Sequence, residues 1–241
     1  MVELTPPHDV LTREISDYLP KEEVLRYMME ASYKVLKNHP INIKRKEQGL
    51  NPANCCWFWG AGTKPMLDNF YTKTGKRGAM ISAVDLLKGI AIGAGMQVIE
   101  VEGANGGLNT NYTGKKDAAV KALLDDENDF VYIHVEAPDE MGHQGSFERK
   151  IKAIENIDAY IVGPLVEELQ GRDVEYILLV LHDHPTPVRL RTHTSDAVPY
   201  MLYDSTIEVE SNHAYSEKEA KETGNYFDEG YMLMNHFLEL E

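Results

Sequence analysis

Cysteine is scarce in this chain of 241 residues: there are two, and Cys55 and Cys56 are neighbours. Vicinal cysteines rarely bridge, so a disulfide framework is excluded and a reducing cytoplasm is the expected setting. Basic residues are also in short supply. With 24 Lys+Arg against 39 Asp+Glu the formal charge is −15. No basic patch is visible, so neither nucleic acid nor an anionic membrane is expected as a partner. An acidic surface can still surround a locally positive pocket when metal ions sit in it. Long apolar runs are missing too. The most apolar window, Leu86 to Ile99, contains Lys88, Gln97 and three glycines, and is too short to span a bilayer. The opening stretch, MVELTPPHDVLTREISDYL, has neither the basic nor the apolar region of a signal peptide. There is no internal repeat and no low-complexity tract. What is present is globular: 43% hydrophobic and 26% charged residues, a balance that argues against disorder.

Periodicity predicts a helix over Lys21 to Lys37, ended by Asn38-His39-Pro40 because a residue before proline is pushed out of the helical region. Strands are expected at Cys55–Trp59, Ala79–Ser82, Met96–Val101, Phe130–Val135, Tyr176–Leu181 and Val198–Tyr203. The cysteine pair then reads as small apolar residues on a buried strand. Between the strands lie helical patterns near Pro65–Thr74, Val84–Ala94, Lys115–Leu124 and Gly142–Gln170. The last carries Ile151, Ile154, Ile157, Ile161, Leu165 and Leu169, the stripe of a helix packed on a sheet, with Pro164 kinking or dividing it. Alternating strands and helices mean an α/β fold with a mostly parallel sheet flanked by helices. The charged, helical first 52 residues set themselves apart from 53–241.

Histidine and carboxylate coincide just after two of these strands. Glu136-Ala-Pro-Asp139-Glu140-Met-Gly-His143 follows one, and His182-Asp183-His184-Pro-Thr-Pro187 follows another, with Arg189-Leu-Arg191-Thr-His193 beyond it. Ligands of open parallel sheets bind at the carboxyl ends of strands, so both segments point at one crevice. Carboxylate oxygen with imidazole nitrogen suits Zn²⁺, Mn²⁺ or a similar dication, while the lack of thiolates speaks against a structural zinc site. Asp139 and His143, four apart on a helical turn, can hold the same ion. Asp183 and His184 are adjacent, so they share a centre only at a turn, or serve different partners.

The strings APDEMGHQG and DHPTPVRLRTHTSDAVPY, with NPANCCWFWGAGTKP and ISAVDLLKGI upstream, resemble the archaeal-type cofactor-independent phosphoglycerate mutases of the alkaline-phosphatase superfamily. The resemblance runs from about Pro7 to the C-terminus. It implies an alkaline-phosphatase-like α/β fold, with residues 1–52 as a remnant of an inserted substrate-binding domain and 53–241 as an incomplete metal-binding domain. It implies that Asp139, His143 and His193 ligate one divalent ion and Asp183 and His184 a second, each Mn²⁺, Mg²⁺, Co²⁺ or Zn²⁺. The implied reaction interconverts 3- and 2-phosphoglycerate through a phosphoserine. One metal activates the serine and both stabilise the transferring phosphoryl group. Arg45 resembles the family's substrate-holding basic residue, with Lys64 and Lys88 as weaker candidates.

Two family features are not found: the first strand with its metal-binding aspartate, and the Ser or Thr nucleophile at a helix N-terminus. Thr63, Thr110 and Thr113 follow glycine-rich turns and read as turn residues. Residue 182 is His where the family more often has a small residue or proline, and Glu102-Gly-Ala-Asn-Gly-Gly107 departs from the usual glycine-rich string. The expectation is a mutase-family chain lacking its N-terminal part and impaired alone. The alternatives are one half of a split enzyme, a non-catalytic metal-binding module, or a related metal-dependent phosphatase. Association through exposed strand edges, or with a chain supplying the missing part, goes with these readings.

Overall fold

The computed structural model describes residues 2–10, 12–208 and 213–239. Two compact units divide the chain, Met1–Pro65 and Met66–Glu241. Among the described residues no helix is long and apolar enough to cross a membrane.

In the first unit, α1 (Glu23–Leu36) stops two residues before His39-Pro40, as the proline predicts. A second helix that periodicity missed, α2 (Pro40–Glu47), begins there. His39 caps it by accepting the Ile41 amide, and Pro40 loses nothing at a first-turn position that has no intrahelical acceptor. Buried Asn42 then ties α2 to the following segment. Its amide donates to Leu36 and Ala53 carbonyls at 2.8 and 2.7 Å, and its oxygen accepts the Ala53 amide at 3.0 Å. Cys55–Trp59 is not a strand, contrary to the reading of its apolar run. Its polar partners lie in α1 and near the start of the chain: the Cys56 amide donates to the Ser32 hydroxyl at 2.9 Å, the Cys55 thiol to the Met29 carbonyl at 3.2 Å and Trp57 Nε1 to the Thr5 carbonyl at 2.8 Å. Both cysteines are free and half-buried.

The second unit carries the α/β architecture. A short helix, α3 (Phe70–Thr74), is all that forms of the helix expected over Pro65–Thr74. Three strands pair in parallel in the order β2 (Gln97–Val98), β1 (Gly78–Ile81), β3 (Phe130–Ile133). Ala79 lies opposite Gln97, and Gly78 to Ile81 run opposite Phe130 to Ile133. The central strand β1 is buried along its whole length, as a strand covered on both faces must be. Two helices make the crossovers, α4 (Asp85–Gly93) and α5 (Tyr112–Leu124). A second sheet pairs β4 (Ile177–Leu181) with β5 (Tyr200–Asp204), antiparallel, Leu181 opposite Tyr200. The parallel sheet thus has three strands and the antiparallel β4–β5 pair is a separate ladder, and among the described residues β3 and β4 each have one strand edge without a ladder partner. The unit closes with α9 (Glu217–Thr223) and α10 (Met232–Glu239).

Between β3 and β4 the single long helix expected over Gly142–Gln170 is three: α6 (Ala137–His143), α7 (Phe147–Ile157) and α8 (Gly163–Gly171). A π-turn at Asp158–Val162 joins the last two, with the Gly163 amide reaching back five residues to Asp158. Proline at 164 has no amide to give, and the extra residue of the π-turn accommodates that loss. It also changes the phase of the isoleucine stripe. Ile161, Leu165 and Leu169 are buried, the last two with Val120 of α5, while Ile151 and Ile154 face outward. The inward positions of α7 are Ala153 and Ile157, which pack on Ala137 and Met141 of α6. Burying the three large stripe residues contributes roughly 1.5–3 kcal/mol each.

Candidate metal centre

The first turn of α6 starts directly after the carboxyl end of β3, so Asp139 and His143 leave the sheet end on one helical face. The Asp139 carboxylate reaches His143 Nε2 at 3.3 Å and His193 Nε2 at 3.3 Å, and the two Nε2 atoms are 3.0 Å apart. Among the described residues these three form a group whose donor atoms all lie within 4.8 Å of one another. Fifty residues separate His143 from His193, so the fold, not local spacing, closes the group.

The proton positions follow from the neighbours. His143 Nδ1 lies 3.0 Å from the Arg191 carbonyl, which can only accept. The proton is therefore on Nδ1, and Nε2 turns a lone pair toward the centre. Arg191 is held at φ +56°, in the left-handed region, which sets the direction of that carbonyl. His193 is pushed below the ordinary histidine value by desolvation and by His184, a cause that the Asp139 charge opposes. Depression keeps the ring neutral, the form that ligates. Two imidazole Nε2 atoms and a carboxylate oxygen thus converge on one point, all within 4.8 Å of one another. The donor set therefore fits a divalent ion of the N/O-binding kind.

Asp183 and His184 sit in the bend after β4 and stand outside that three-residue group. The His184 ring stacks on His193 with centroids 3.7 Å apart, while its Nε2 lies 3.3 Å from the Asp183 carboxylate and its amide donates to the same side chain at 3.0 Å. The bend turns both side chains to one side, which extended backbone would have prevented. Arg45 lies in the first unit, where its Nε donates to the Asn51 carbonyl at 2.8 Å; Lys64 is exposed in the same unit. Lys88, in the second unit, is paired with Glu100 at 2.8 Å.

Several residues that periodicity did not single out surround the group. Lys115 is 1% exposed and donates to the His134 carbonyl at 2.7 Å. Desolvation pushes it below the usual lysine range, with Glu136 opposing. Ser82, at the end of β1, places its hydroxyl 3.2 Å from His134 Nδ1. Thr186 is 3% exposed and donates to Asp139 Oδ1, and its own carbonyl accepts from Lys150 Nζ at 2.7 Å. A lysine in line with Ala119 and Ala122 on the apolar face of α5 was the available signal for Lys115; Thr186 reads as a turn residue in HPTP and gave none. Thr110 accepts the Asn105 amide at 3.0 Å, in keeping with a turn.

The sequence profile of the Metalloenzyme superfamily matches residues 22–238, and that of 2,3-bisphosphoglycerate-independent phosphoglycerate mutase matches residues 1–42. A curated 2,3-bisphosphoglycerate-independent phosphoglycerate mutase of Methanosarcina mazei is 49% identical over 223 residues, 91% of this chain and 56% of that protein. A solved structure from Pyrococcus horikoshii aligns with a TM-score of 0.67 and 31% identity, over 83% of this chain and 51% of its own. The cofactor-independent phosphoglycerate mutase of Thermoplasma acidophilum aligns at TM-score 0.54 and 24% identity, over 90% and 51%, a likeness of fold. This chain thus spans about half the length of the relatives it matches.

Proposed function

This chain belongs to the Metalloenzyme superfamily, with its alkaline-phosphatase-like α/β fold, and we propose that it is the metal-binding portion of a 2,3-bisphosphoglycerate-independent phosphoglycerate mutase. The observation that carries this reading is the convergence of Asp139, His143 and His193 at the carboxyl end of the sheet. In this reading those three hold one divalent ion, and Asp183 and His184 contribute to a second. Divalent cations bound there supply Lewis-acid stabilisation of charge on a transferring phosphoryl group. Mn²⁺, Mg²⁺, Co²⁺ and Zn²⁺ are the candidates. The names of the relatives support phosphoglycerate as substrate.

The roles of the chain's own residues follow. Asp139 orients on the centre while Thr186 holds its carboxylate, and the Arg191 carbonyl fixes the tautomer of His143. His193 stays neutral through desolvation. Thr186 is not the nucleophile of this scheme, because it is buried and its hydroxyl proton is committed to Asp139. The nucleophile and a further metal ligand come from outside these residues. Residues 1–52 serve as part of a substrate-binding insert with Arg45 and Lys64 as anion-holding groups, and Lys88 serves only if substrate displaces Glu100. The unpaired edges of β3 and β4 support association with the polypeptide that supplies the rest, and the cytoplasm is the setting.

An enolase-coupled assay with 3-phosphoglycerate tests the reading. The chain alone is expected to give no more than trace turnover. Co-expression with the part of the M. mazei relative that this chain does not span should give mutase activity that chelation removes. Robust turnover by the chain alone overturns its partial role. A co-purifying pair that leaves 3-phosphoglycerate unchanged overturns the substrate.

A further inference from the structure

We propose that Thr186 is a positioning residue that couples the two expected cation sites, its single hydroxyl orienting one ligand of each, with Lys150 as the anchor that keeps it there. The inference rests on the metal-binding reading above and concerns how this chain builds its ligand geometry.

Three contacts from the α6–α7 corner hold Thr186. Its hydroxyl donates to Asp139 Oδ1, the carboxylate oxygen that also faces His193 Nε2 at 3.3 Å. Its carbonyl accepts from Lys150 Nζ at 2.7 Å. Its backbone lies so close to α6 that a Cβ on Gly142 would come within 2.5 Å of the Thr186 carbonyl oxygen. A residue 3% exposed in the loop after β4 is thus clamped by a helix that begins after β3.

The hydroxyl has one proton and spends it on Asp139. A carboxylate oxygen carries two lone pairs, so Oδ1 can take that bond and still face an ion. The same hydroxyl oxygen lies 3.4 Å from His184 Nδ1. With its proton committed, it can only accept there. An Nδ1–H on His184 matches that oxygen, and Nε2, 3.3 Å from the Asp183 carboxylate, is then the atom left for an ion shared with Asp183. One side chain therefore sets the carboxylate plane of Asp139 and the tautomer of His184, a second layer of the kind that tunes metal affinity by 10- to 100-fold. Lys150 acts by holding the backbone of the loop that bears Asp183 and His184.

Mn²⁺ titration of the purified full chain, followed by calorimetry and by the visible spectrum of its Co²⁺ form, tests this. Thr186→Val keeps the shape and removes the hydroxyl; Thr186→Ser restores it. The expected result is a 10- to 100-fold weaker Mn²⁺ affinity and an altered Co²⁺ spectrum for the valine variant, with serine returning both close to the parent. Lys150→Met, which leaves the hydroxyl in place, should weaken binding as well. It also gives an independent reading if the valine variant does not fold. Parent-like affinity and spectrum in Thr186→Val, or in Lys150→Met where the valine variant fails to fold, overturns the coupling role and leaves the cation sites standing. Serine behaving like valine overturns it too. Absence of Mn²⁺ binding by the parent overturns the metal reading itself.

Discussion

Gly142→Ala offers the sharpest test of how the centre is assembled. Gly142 lies inside α6, between the two ligands that helix supplies. An added Cβ would stand 2.5 Å from the Thr186 carbonyl oxygen, 2.9 Å from its Cγ2 and 3.1 Å from Lys150 Nζ, against an ordinary contact of 3.4 Å or more. The nearest atom is backbone, so no rotamer relieves it, and the loop after β4 must retreat by roughly 0.9 Å. Overpacking of this kind costs about 1–3 kcal/mol. Replacing glycine by alanine within a helix returns about 0.5–1 kcal/mol. The net loss is up to about 2.5 kcal/mol, which lowers the melting temperature by up to roughly 10 °C for a chain of this size. Gly89, inside α4 with nothing within 4 Å of its added Cβ, is the control. Gly89→Ala should gain about 0.5–1 kcal/mol. Thermal melts by circular dichroism on the metal-free proteins read both. Gly142→Ala gaining as much stability as Gly89→Ala would refute the close approach of α6 to the loop.

Three further outcomes follow from the same structure. Lys115→Met keeps the buried stem but leaves the His134 carbonyl without its donor and Glu136 without its nearby charge, so urea titration should show about 1–3 kcal/mol lost; parent stability contradicts this. His134, His182 and His193 all lie below the ordinary histidine value, burial being the first cause in each. They take up protons more readily once unfolded, so stability rises with pH from their depressed values to about 6.5, and the metal-free chain should melt lower near pH 5.5 than near pH 7.5. Glu136, raised by burial, acts in the opposite sense and is outnumbered; a melting point that does not fall on acidification counts against the burial of these rings. Proton competition for the ligands should also weaken Mn²⁺ binding across the same interval, and affinity independent of pH would mean that imidazole is not among the ligands.

Much of the fold was legible because its determinants are local. The apolar runs Phe130–Val135 and Tyr176–Leu181 read as strands, and strands form over Phe130–Ile133 and Ile177–Leu181. Pro40 marked the end of α1 for a steric reason that needs no tertiary context. The failures have physical causes beyond local pattern. Cys55–Trp59 looks like a strand, but the Cys56 amide donates to the Ser32 hydroxyl and the Cys55 thiol to an α1 carbonyl, with no neighbouring ladder. The isoleucine stripe assumed one continuous helix, and the π-turn at Asp158–Val162 rotates its first half out of phase. At the site, the four-residue step from Asp139 to His143 is a helical spacing, so their meeting was readable. His193 joined them only through the family resemblance, since nothing local brings a residue back across fifty positions. Thr186 and the Arg191 carbonyl escaped because backbone acceptors and turn hydroxyls leave no compositional mark.

The most direct test of the account is the metal content of the full chain, purified without chelator and measured by elemental mass spectrometry beside His193→Ala. About one divalent ion is expected at the three-donor group of the parent and none in the variant, since one of three ligands is removed. A parent chain without metal, or a His193→Ala chain that keeps it in equal amount, contradicts the assignment of Asp139, His143 and His193 as a metal centre.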